Sequence, residues 1–148
     1  MPLEPREKAV ELYRSGLNCA QSVAMSLADK VGLGPETIKA VSAPFGGGVA
    51  RTRSLCGAVT GMLMIIGAAH PEYSKAEIYA LSRRAMDLFR ERLGSITCAD
   101  LLKDLNVDSS PTPSPRTEQY YAERPCGNII ATAVDIAIEF CGGETAAK

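Results

Sequence analysis

Residues 54–69 read SLCGAVTGMLMIIGAA. Ser54 is an N-cap residue type, and from Gly57 onward the stretch is apolar on every side, so it predicts a helix to about Ala69 that is buried all round rather than on one face. Gly57 and Gly61 stand one turn apart and each weakens a helix by about 1 kcal/mol relative to Ala. A close approach of backbone or ligand is expected to compensate. The apolar run of Gly57 to Ala69 falls short of the roughly 20 residues that a membrane-spanning helix needs. It therefore predicts the central helix of a water-surrounded bundle.

The flanking sequence supplies the partners for such a helix. On the N-terminal side, Ala9, Leu12 and Tyr13 share one face of a helix from about Pro5 to Ser15, stopped at Gly16. Asn18 with Gln21 forms a capping box for a second helix, Cys19 to about Lys30. Pro35 opens a third, to about Ser42, which Pro44 should end. FGGGVARTR, residues 45–53, has three consecutive glycines and no apolar face, and predicts a loop. On the C-terminal side, Ser74 and Glu77 cap a helix whose face of Ile78, Leu81, Ala85, Leu88 and Phe89 runs to Gly94. Thr97 and Asp100 repeat the capping pattern for a shorter helix from Cys98 to near Asn106. The proline-rich stretch 106–117 predicts an exposed connection or lid. Pro125 then opens a last, weakly charged helix through Phe140, ended by CGG. No run alternates over strand length and no internal repeat occurs, so the chain predicts an all-α, single-domain bundle of about six or seven helices over residues 1–148.

Composition narrows the function. The 148 residues are 46% hydrophobic, and 16 Lys and Arg face 17 Asp and Glu, which leaves no basic surplus for nucleic acid or anionic lipid. The charged start MPLEPREKAVELYRSG lacks the apolar core of a secretory signal, so a cytoplasmic location is expected. In that compartment five cysteines point to reactive thiols or metal ligands rather than permanent disulfides.

Cys19, Cys56, Cys98 and Cys126 all fall in the first one or two residues of a predicted helix. The unpaired N–H groups and partial positive charge of a helix start stabilise a thiolate, the form that attacks disulfides and binds metals. Arg51 and Arg53 are expected to add positive charge near Cys56, and Arg124 near Cys126, whereas Asp100 opposes the effect at Cys98. Cys56, with a mobile loop before it, is the expected attacking thiol, and the other three are expected resolving or second-pair partners. Cys141 lies at the negative end of its helix and is expected to be inert. No C-x-x-C occurs, so any pairing is tertiary, with three connectivities open for four cysteines.

Two further chemistries compete. Four thiolates at converging helix starts can make a zinc site or hold an iron–sulfur cluster. Alternatively Gly46, Gly47, Gly48, Arg51 and Arg53 can form an anion nest for phosphate, carboxylate or a thiol-bearing cofactor. His70, before Pro71, is expected to be a surface turn residue. The small-residue surface of Gly57, Gly61 and Gly67 can also support a homodimer.

The order Cys19, CGAVTG at residues 56–61, Cys98 and Cys126 resembles the C_GCAxxG_C_C family of redox-active proteins, as do GLNCAQSV, FGGG and SITCADLL. The resemblance runs from Gly16 to Phe140 and implies a small helical redox protein with four working cysteines. It also implies a link to transporters, and a related module in multihaem cytochromes keeps electron transfer in view. The chain has no C-x-x-C-H and so carries no c-type haem.

Overall fold

The computed structural model describes residues 3–103, 105 and 110–142. Among them eight α-helices follow one another: α1 (Pro5–Arg14), α2 (Cys19–Leu27), α3 (Pro35–Ser42), α4 (Gly57–Ala69), α5 (Lys75–Leu93), α6 (Cys98–Leu101), α7 (Glu118–Glu123) and α8 (Cys126–Cys141). The capping boxes expected at Asn18/Gln21 and Ser74/Glu77 are both present, with the N3 amide donating to the cap side chain and the cap amide donating back. Gly94, at φ 92°, ends α5 in the left-handed conformation that glycine tolerates best.

The apolar helix α4 is the hub. Ala58, Val59, Met62, Ile65 and Ile66 are fully buried, and α2 and α8 pack against it and against each other, while α1 covers α2 and α8 and α5 covers α8 and α4. The helix glycines have the expected reason. A Cβ at Gly61 would stand 2.7 Å from the Ala20 carbonyl oxygen, and one at Gly57 would stand 2.8 Å from that of Phe45. Only backbone without a side chain lets α4 approach α2 so closely. The outer helices bury single faces: Ala9 and Tyr13 on α1, and Leu81, Ala85 and Phe89 on α5.

Several boundaries differ from the sequence reading. α4 begins at Gly57, with Cys56 itself in the N-cap position, because Ser54 and Leu55 are drawn into contact with another segment. α2 tightens into a 3-10 turn at Ala28–Val31, and Pro44 does not end the third helical segment but sits within a second such turn, Ala43–Phe45. Proline fits there because it occupies an early position whose N–H would have no helical acceptor. The α6 helix is a single turn rather than a run to Asn106, which lies outside the described residues. Its Thr97 side chain makes no cap. The Ser95 hydroxyl instead accepts from the Thr97 amide (3.1 Å) and donates to Asp100 (3.1 Å). The helix α7 was not anticipated; Thr117 caps it through a bond from the Tyr120 amide.

Candidate functional site: four cysteines around one cavity

The backbone brings Cys56 and Cys98 together. An isolated antiparallel bridge pairs Leu55 with Thr97. Beside it the Cys56 amide donates to the Ile96 carbonyl (2.8 Å) and the Cys98 amide to that of Ser54 (2.7 Å). The starts of α4 and α6 are thereby fixed next to each other. Gly48 completes the fit, since a Cβ there would stand 2.6 Å from the Cys98 Cβ. Cys19 and Cys126, at the starts of α2 and α8, face the same cavity, whose volume is about 250 Å³. All five cysteines are free thiols, and Cys56, Cys98 and Cys126 are buried.

The four thiols are not equivalent. Cys126 is the acidic one, held down to about 6: the Cys19 side chain stabilises its thiolate by hydrogen bonding, against burial, with help from the Tyr13 hydroxyl and the charges of Arg124 and Arg116. Cys19, which is half-buried, moves the other way, well above the ordinary thiol range, because it is the donor to Cys126 and is desolvated in the cavity wall. The two titrate as a pair, and the first proton lost belongs to that pair. The charge settles on Cys126, where the arginines and the tyrosine are. Cys56 is pushed up to about 12 by burial, although the amides of Ala58 and Val59 point at its sulfur and oppose the shift. A helix start lowers a thiol only where desolvation does not outweigh it.

The arginines expected near Cys56 line the same cavity, and their guanidinium groups are engaged by other residues. Val49, Ala50, Arg51 and Arg53 all have φ between 51° and 68°, following Gly47 and Gly48 at 67° and 71°. This left-handed coil costs about 1–2 kcal/mol for each non-glycine residue. It turns the backbone donors inward: the amides of Ala50, Arg51, Arg53 and Ser54 donate to the carbonyls of Pro44, Gly46, Gly47 and Gly48. Those four N–H groups are engaged within the loop, while Gly46, Gly47, Gly48, Arg51 and Arg53 all line the cavity. The Arg53 guanidinium is buried against Cys98, with Nη1 3.6 Å from its sulfur. Arg51 reaches across to the proline-rich segment, donating to the carbonyls of Ser110 (2.7 Å) and Thr112 and to the Ser114 hydroxyl (2.9 Å). Pro111 and Pro113 of that segment line the cavity.

A cluster of aromatic and cationic side chains, missed in the sequence, flanks Cys126. Tyr13 is 3% exposed, and its hydroxyl has no hydrogen-bond partner within normal distance among the described residues, although it lies near enough to Cys126 to act on that thiol. The Arg116 guanidinium lies 4.9 Å above the rings of both Tyr13 and Tyr120 and donates to the carbonyls of Tyr13 and Leu17 (3.2 Å each). Arg124 stacks on Tyr120 at 4.5 Å. The pair Tyr120-Tyr121 sits on a helix of only six residues and meets partners a hundred positions away, so no local periodicity announces it.

Two other expectations change. His70 is not a surface residue: it is 5% exposed, its Nε2 is 2.8 Å from the Phe140 carbonyl oxygen, and its ring stacks on Tyr73 at 4.4 Å. Among the described residues no group of three or more His, Cys, Asp or Glu is gathered closely enough to hold a metal ion. Cys141 is half-buried, and burial raises its thiol pKa.

Residues 17–140 match the family model described as "Putative redox-active protein (C_GCAxxG_C_C)". The chain belongs to the C_GCAxxG_C_C family. The matched span contains Cys19, Cys56, Cys98 and Cys126, and excludes Cys141 and Tyr13. No curated protein and no solved structure matches the chain significantly. Among the described residues of this C_GCAxxG_C_C protein, no helix is long and apolar enough to cross a membrane.

Proposed function

We propose that this C_GCAxxG_C_C protein carries out reversible thiol–disulfide chemistry with Cys126 as the attacking thiolate and Cys19 as its resolving partner, in the reducing conditions of the cytoplasm. The observation that carries the reading is the opposite polarisation of two thiols that line one cavity: Cys126 is favoured as thiolate and Cys19 holds the proton. An attacking thiol works best with a pKa near ambient pH, and a resolving thiol works when a leaving group can take its proton. The Cys126 thiolate attacks one sulfur of a substrate disulfide and expels the other as a thiolate, leaving a mixed disulfide. The expelled thiolate takes the proton of Cys19. The Cys19 sulfur then attacks the Cys126 sulfur, forming the intramolecular disulfide and expelling the second substrate sulfur as a thiolate, which takes its proton from solvent. Two protein thiols are oxidised and one substrate disulfide is reduced. Cys56 and Cys98, adjacent and buried, are the second pair, engaged after the first.

Anaerobically reduced protein titrated with a small disulfide tests this by free-thiol count and peptide mapping. The first two thiols lost are expected to be Cys19 and Cys126, joined to each other, and Cys126→Ser should abolish that first step. If Cys126→Ser were oxidised at the wild-type rate, or if another pair bridged first, the assignment would fail.

A further inference from the structure

Beyond the chemistry of the thiols, the cavity has a charge. Arg116 and Arg124 both line it beside Cys126, and neither has a carboxylate partner among the described residues. Arg116 is satisfied by two backbone carbonyls and by aromatic faces, which leave its charge uncompensated. Among the described residues Arg124 makes no side-chain hydrogen bond, and its guanidinium stacks on Tyr120. No Asp or Glu stands among the described residues lining the cavity. The Cys126 thiolate balances one of these two charges. Beside Cys126 one positive charge remains of this pair, in a partly enclosed space that Arg51 and Arg53 also line and where electrostatic attraction is stronger than in water.

The geometry points to a substrate that is a small disulfide bearing an acidic group close to its sulfur, with the acid held by Arg124 and Arg116 while Cys126 meets the sulfur. The inference rests on the thiol–disulfide reading above. Size sets the scale of the substrate: the cavity is about 250 Å³, at the small end of the range for small-molecule pockets. A disulfide with two-carbon arms fits, whereas a folded protein partner does not enter. The proton and electron balance is that already given; the acidic group takes no part in the bond changes and serves to bind and orient.

Three disulfides of nearly equal size separate charge from shape: dithiodiglycolate (anionic), 2-hydroxyethyl disulfide (neutral) and cystamine (cationic). With reduced full-length protein, dithiodiglycolate is expected to oxidise the Cys19–Cys126 pair about tenfold or more faster than cystamine. Attack by a free thiolate has the opposite preference, so the order is diagnostic. Arg124→Glu should reverse it and Arg124→Lys should keep it, with circular dichroism confirming that both variants fold. Equal rates for the three disulfides, or cystamine fastest, would overturn the inference. Alkylation of Cys126 by iodoacetate against iodoacetamide reads the same charge without any disulfide exchange. A raised iodoacetate ratio that is lost in Arg124→Glu supports the anion site even if no disulfide reacts, in which case the redox reading is what fails. Disulfide exchange that is indifferent to charge has the reverse meaning.

Discussion

Gly61 lets α4 lie so close to α2 that a side chain at this position would stand 2.7 Å from the Ala20 carbonyl oxygen and 3.1 Å from the Val23 Cβ. Gly67, six residues further along the same helix, has nothing within 4 Å of such a Cβ. The same substitution therefore has opposite signs at the two sites. Gly61→Ala gains about 1 kcal/mol of helix propensity but forces two backbones apart, at a cost of about 1–3 kcal/mol. We expect it to lower the melting temperature by a few degrees. Gly67→Ala should raise it, by up to about 1 kcal/mol in stability. Thermal melts of the two variants side by side check both.

Alkylation of Cys126 by iodoacetamide should rise with pH through about 6 and be flat above it, whereas an ordinary thiol rises through about 8.5. The largest stabilising influence on its thiolate is the Cys19 donor. Removing a donor to the charged form disfavours that form, so Cys19→Ala should move the midpoint to higher pH. Cys19→Ser keeps a hydroxyl donor and should move it less. A pH series read by peptide mass spectrometry distinguishes the three proteins.

Tyr13→Phe removes a buried hydroxyl that has no hydrogen-bond partner within normal distance among the described residues but that favours the Cys126 thiolate. Stability should be unchanged or rise by up to about 1 kcal/mol, because a buried hydroxyl without a partner is costly. Reactivity of Cys126 near pH 6 should fall. Denaturant unfolding together with the alkylation rate at pH 6 tests the pair of effects, and a purely structural tyrosine would not separate them.

Arg51 ties the proline-rich segment down through Ser110, Thr112 and Ser114. Arg51→Ala should raise hydrogen exchange across residues 110–117 and speed alkylation of the cavity thiols, since Pro111 and Pro113 line their cavity. Charge-assisted bonds of this kind contribute about 1.5–3 kcal/mol. Exchange mass spectrometry localises the loosening.

The fold was largely readable because its signals are local. Asn18 and Ser74 announce helix starts, Gly94 an end, and the uninterrupted apolar run after Cys56 marks the hub. The common helix-start position of four cysteines was equally local, and all four do line one cavity. Which thiol is acidic was not readable, because it depends on burial and on neighbours distant in the chain. Cys56 has helix-start amides but is desolvated, whereas Cys126 has Cys19, Tyr13 and Arg116 brought to it by three other segments. Arg53 was misdirected for a related reason. Four non-glycine residues in left-handed conformation aim its side chain at Cys98, and no composition rule foresees such a run.

The Cys19–Cys126 pair joins the second helix to the last. A covalent bond there would close a loop of roughly a hundred residues, and by chain entropy alone a loop of that length disfavours the unfolded chain by about 4–5 kcal/mol. Electron transfer and unfolding would then be one linked equilibrium: each turnover would switch the chain between a form that opens with ordinary ease and one whose ends are stapled. Resistance to heat or protease would report redox state, and a cell's oxidant load would be written into the lifetime of the protein itself.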